Sequence, residues 1–128
     1  MKTARWLVIV GCLLSFGTAM LHGAGFRAVS AEIAGTNARP VLVAAYKVLW
    51  LAFSVEFIVL SAIAAAALGS SRAKQLILLC SLIPIFNAGL MLFFLGPFLG
   101  VYCVAATAVF FLTGGLLLPD AAQPASMP

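Results

Sequence analysis

Charge is what this sequence has least of. Of 128 residues only 8% are Asp, Glu, Lys or Arg, and just three are acidic, whereas an average soluble domain is about 25% charged. There are too few polar side chains to cover a water-facing surface, so a soluble globular fold is excluded. Histidine occurs once, at His22, and one imidazole cannot supply both axial ligands of a haem within the chain. The three cysteines, Cys12, Cys80 and Cys103, each lie inside an apolar stretch and form no CxxC pair. They read as inert buried thiols. His22 beside an acid would still lack a third strong metal ligand, and no Ser, His and acid fall in a nucleophile motif. No metal or cofactor is expected, and the chain reads as non-catalytic unless an oligomer or a larger complex lends it further residues. Its net charge of +4 comes from basic residues that form no run and no aromatic-interleaved patch, which argues against nucleic acid as a partner.

What is abundant is apolar: 65% of the residues are hydrophobic. A membrane crossing needs about 20 such residues at 1.5 Å each. Trp6 to Phe26 supplies one crossing, and Pro40 to Gly69 a second, interrupted only by Lys47 and Glu56. The uncharged stretch from Gln75 to Pro119 is about twice the required length. It is divided at Leu95-Gly96-Pro97-Phe98, where Gly-Pro turns the chain and Pro suits the first turn of a new helix. The predicted fold is all-α: a four-transmembrane-helix bundle with spans over about residues 6–24, 40–69, 75–95 and 97–118, followed by a polar tail over 119–128. Met1-Lys2-Thr3-Ala4-Arg5 before an apolar run is also how a signal peptide begins. Leu21-His22-Gly23 offers no small-x-small cleavage site, so the first helix is expected in the mature chain.

The first loop, residues 24–39, is the one connection with content. Phe26, Val29 and Ile33 recur at helical spacing while Arg27, Ser30 and Glu32 are polar, the pattern of a short amphipathic helix at the interface. Thr36-Asn37-Ala38-Arg39-Pro40 reads as the cap and start of the second crossing. Lys2 and Arg5 precede the first span, and Arg72 and Lys74 separate the second from the third. Their bias predicts a plasma or inner membrane protein with both termini in the cytoplasm.

Glu56 stands out, because an intramembrane carboxylate costs about 2.5 kcal/mol or more to insert and marks function by default. Lys47 precedes it by nine residues, which is about 13 Å along the helix and on the opposite side. The two cannot pair, and Lys47 with Tyr46 and Trp50 reads as an interface anchor. Glu56 shares its face with Ala45, Ala52, Val59 and Ile63. Its partner must therefore come from another helix, or the carboxyl must hold a proton. Counted from the cytoplasmic ends, His22, Glu56, Asn87 and Tyr102 fall at nearly one level, about 20 to 24 Å up. Gly11, Ser15, Ala19 and Gly23 form a small-residue ridge that His22 nearly shares, and Asn87 follows the intrahelical Pro84 by one turn.

These positions predict a binding cluster of Glu56, His22, Asn87 and Tyr102 in the outer half of the bundle, with mutual satisfaction of the four side chains as the structural alternative. Phe93, Phe94 and Phe98 near the hairpin, with Phe110 and Phe111 deeper, are expected to face lipid or core, or else to line a lipophilic pocket. The functional expectation is an accessory or structural subunit, or a lipophilic-ligand-binding bundle, sitting in the lipid bilayer as a homo-oligomer or within a larger membrane complex. The alternative is a small proton-coupled transporter in which Glu56 titrates.

Overall fold

The computed structural model describes residues 2–120, and all regular structure among them is helical. Five helices follow one another: α1 (Lys2–Ala24), α2 (Phe26–Ala34), α3 (Pro40–Ala67), α4 (Ala73–Leu95) and α5 (Leu99–Leu117). Four helical segments are long and apolar enough to cross a membrane, so the chain forms the predicted four-helix bundle and is an integral membrane protein by its physical character. Residues 121–128 of the expected tail lie outside the described residues. Leu118, just before the tail, is buried, and of the tail's two described residues, both exposed, Asp120 pairs with Lys74 at 2.8 Å.

Each helix boundary has a local cause. Pro40 opens α3 at its first position, where its missing N–H is not needed. Thr36 ties off the preceding turn, donating to the Ile33 carbonyl at 2.7 Å and accepting from the Ala38 N–H at 3.3 Å. Between α4 and α5 the chain turns at Gly96, whose φ of 74° is open to glycine and strained for other residues. The amphipathic helix expected in the first loop is α2, none of whose residues is fully buried. Gly25 before it keeps right-handed helical dihedrals (φ −70°, ψ −13°), so α2 continues α1 with little interruption, and Lys2–Ala34 forms one helical run of 33 residues.

The helices do not pack as a closed square. α1 packs extensively against both α3 and α5, and α5 against α4, whereas α3 and α4, though consecutive in the chain, touch only lightly. The spatial order is therefore α3, α1, α5, α4. Small residues make the central contacts possible. A methyl group on Gly114 would stand 3.2 Å from the Ala4 carbonyl oxygen and the Val8 nitrogen, so α1 and α5 approach backbone to backbone. Next to it, a methyl on Gly115 would meet Leu78 of α4 at 2.9 Å. The ridge on α1 is used as its spacing suggests: Gly11 abuts the buried Phe111 ring, and Ser15 donates to the Phe57 carbonyl at 2.9 Å. Ser61 returns the contact, donating to the Cys12 carbonyl at 2.9 Å.

One core cluster, with Val8, Leu60, Ala64, Ile77 and Phe111, joins all four spans near the end that carries Arg5, Arg72 and Lys74. There Arg5 donates to the carbonyl of Leu68 at 2.9 Å, placing a cation at the C-terminus of α3. Toward the opposite end the packing opens into a chamber, and clefts lie between α1 and α3 and between α3 and α4.

Candidate functional site

A chamber lies at the end of the bundle away from the Arg5 cluster, walled by residues of α1, α3, α4 and α5. It encloses about 260 Å³. Thr18 and His22, four residues apart on α1, face it from one side. Trp50 and Phe53 of α3 continue that wall, and Met91, Phe98 and Cys103 close the other side. The placement of Phe98 follows from the backbone around it. It sits extended just after the Gly96 turn, and its ring lies over Gly100, where a Cβ would come 2.5 Å from the ring. Without a glycine there the ring could not fold back onto α5.

His22 is fixed between two aromatic rings. It stacks on Trp50 with centroids 3.9 Å apart and planes 14° from parallel, and meets Phe53 at 4.6 Å. The indole N–H of Trp50 donates to the His22 backbone carbonyl at 2.8 Å, holding α3 to the last turn of α1. Gly25 lies beside the indole, where a Cβ would sit in van der Waals contact at 3.4 Å. Phe53 in turn stacks on Phe57 at 4.7 Å, so a ladder of rings runs along α3 into the core. Within this ladder the His22 Nε2 is buried and has no hydrogen-bond partner, a state that costs about 1 to 3 kcal/mol if nothing satisfies it.

The second cavity, also about 260 Å³, is a cleft between α3 and α4 lined by Glu56, Val59, Leu60, Ile63, Cys80 and Ile83 among others. Glu56 is half-buried on its wall. Asn87 Nδ2 of α4 donates to Glu56 Oε1 at 3.3 Å, so the carboxyl finds its partner on another helix, as its distance from Lys47 requires. Among the described residues no cation lies within ion-pairing distance of it.

The four residues singled out by depth thus fall in three places. Glu56 and Asn87 meet, while His22 faces the chamber instead, since Trp50 and Glu56 are separated by about 120° around α3. The order α3, α1, α5, α4 also keeps α1 and α4 from being neighbours, so His22 and Asn87 cannot share a contact. Tyr102 is 61% exposed and points away from both cavities, as a belt aromatic does. The phenylalanines divide in the same way. Phe93 and Phe94 are exposed at 80% and 74%, Phe111 is core, and Phe98 lines the chamber.

Depth counting passed over Trp50, Phe53 and Met91. The signal available was the aromatic spacing of Trp50, Phe53 and Phe57, which sets all three on one face of α3. No group of three potential metal ligands occurs among the described residues. The site's chemistry is hydrogen bonding and apolar enclosure within a small helical membrane bundle. No family model, curated protein or solved structure matches the chain.

Proposed function

We propose that this protein is a non-catalytic membrane bundle that holds a lipophilic ligand in the chamber at the end of its four helices. The observation that carries this reading is the chamber itself: space that no side chain fills, walled by all four spans and lined by His22, whose Nε2 has no partner among the described residues. An apolar cavity of about 150 Å³ accommodates benzene. By that scale about 260 Å³ takes a substituted ring or an alkyl segment of similar bulk. The aromatic and aliphatic walls favour such a group over a hydrated ion. The end carrying Lys2, Arg5, Arg72 and Lys74 is proposed as the cytoplasmic one, which sets the chamber in the outer half of the bilayer.

Native mass spectrometry of the protein released from lipid nanodiscs tests the reading. Wild type should carry a lipophilic adduct at one per chain, and Cys103→Trp, which fills the chamber, should lose it. Release of wild type without any adduct, or an adduct kept by Cys103→Trp, would overturn the proposal.

A further inference from the structure

The cleft between α3 and α4 is separate from the chamber and has a different chemistry. Its walls are aliphatic apart from the Cys80 thiol and one carboxyl group, Glu56, which lies well inside a 28-residue span. Among the described residues that carboxyl has a single hydrogen bond, a long one of 3.3 Å from an amide, where a carboxylate has room to accept about four. A buried or half-buried acid in a low dielectric needs either a proton or a positive counter-group. The amide of Asn87 orients the group without neutralising it.

The chain's own cations do not supply the charge. Lys47 is on the opposite side of α3 and about 13 Å away. Arg5, Arg72 and Lys74 sit at the far end of the bundle, roughly 20 Å from Glu56 along the helices. The same arithmetic disfavours a second, parallel copy of this chain as the occupant, since it would bring no basic residue to the level of Glu56. A transmembrane helix from another protein could lie over the cleft but not within it, whereas about 260 Å³ is the bulk of a small ring with a short chain. The light contact between α3 and α4 leaves the cleft open along its length.

We infer that the α3–α4 cleft is a binding site for a small lipophilic cation, an amine or ammonium group on an apolar body, with Glu56 as its counter-charge and Asn87 as the residue that positions Glu56. The apolar body lies against Val59, Ile63 and Ile83, and the ammonium group donates to the carboxyl oxygens. The occupant enters from the lipid, so it needs no opening through the bundle.

The test compares tritiated 4-phenylbutylamine with tritiated 4-phenylbutanol, which has similar size and still hydrogen-bonds but carries no charge. Binding is measured to the full-length protein in nanodiscs of zwitterionic lipid, with empty discs subtracted so that bilayer partitioning is removed. Wild type should bind the amine about tenfold or more tighter than the alcohol, the difference expected of a charge-assisted hydrogen bond. Glu56→Gln should erase that preference, and Ile83→Trp, which fills the cleft and leaves the carboxyl in place, should erase it as well, leaving amine and alcohol only the uncharged chamber. Cys103→Trp, which blocks only the chamber, should leave the amine preference in place.

A second measurement uses the unaltered protein and so does not depend on the folding of Glu56→Gln. The chain contains two glutamates, Glu32 and Glu56, so a sample labelled with ¹³C at the Glu carboxyl gives two signals. The amine should shift one of them, and the alcohol neither. Equal affinity for amine and alcohol in wild type, a preference that survives Glu56→Gln, or carboxyl signals unmoved by the amine would overturn the inference. Each of these outcomes leaves the chamber's adduct unaffected.

Discussion

Single polar atoms carry more of this fold than their number suggests, because in hydrocarbon a hydroxyl has few alternatives to a helix carbonyl. Ser15 and Ser61 bond reciprocally across the α1–α3 contact, to the Phe57 and Cys12 carbonyls. Such bonds between membrane helices average about 0.6 kcal/mol. Ser15→Ala should therefore destabilise the protein by about that amount in reversible unfolding from mixed micelles, and the double variant Ser15→Ala, Ser61→Ala by about twice as much. At this scale the sequence was partly legible. The four-residue rhythm of Gly11, Ser15 and Ala19 identified the packing face of α1, and the nine-residue separation from Lys47 sent Glu56 to another helix for its partner. Trp50 was misleading for a physical reason: an indole near an interface is compatible equally with lipid anchoring and with capping a neighbouring helix, and only the position of the His22 carbonyl decides between them.

Among the elements, the contact of α1 with α5 depends on the absence of side chains. Gly114 allows backbone contact with Ala4 and Val8, where neither partner is the free end of a flexible side chain. Gly114→Ala should push the helices apart and cost about 1 to 3 kcal/mol, the range for overpacking a close contact. Gly89 on α4 gives the control, since a Cβ there meets nothing within 4 Å. Gly89→Ala should be neutral, or stabilising by up to about 1 kcal/mol through helix propensity, in the same unfolding measurement. The role of Gly114 and Gly115 was not readable from the sequence. In a span that is apolar throughout, a glycine leaves no periodic mark, and its significance lies in which helix comes to rest against it. The hairpin was readable, because Gly-Pro constrains the backbone locally whatever packs around it.

For the molecule as a whole, the number of crossings followed from length alone, while the order of neighbours did not. Depth along a helix is fixed by a constant rise per residue, which is why Glu56 and Asn87 were placed level and do meet. Azimuth depends on which helices adjoin, and here α1 packs closely on α3 whereas α4 touches it only lightly. The arrangement also predicts sidedness. In intact cells a membrane-impermeant maleimide should label Thr36→Cys, in the turn before α3, and leave Ser71→Cys, in the turn before α4, unlabelled until the membrane is breached. The reverse pattern would invert the proposed orientation. The order α3, α1, α5, α4 has a further consequence, for synthesis. The first helix made occupies a central position whose second flank is filled only by the last. Until α5 arrives, the bare strip of Gly11 and Val8 on α1 has no Phe111 or Gly114 to receive it, and α4 has no substantial neighbour. The nascent chain thus passes through a stage with three inserted spans and half of its interior facing lipid, a window in which quality-control proteases or lateral association with other chains compete with completion of the bundle.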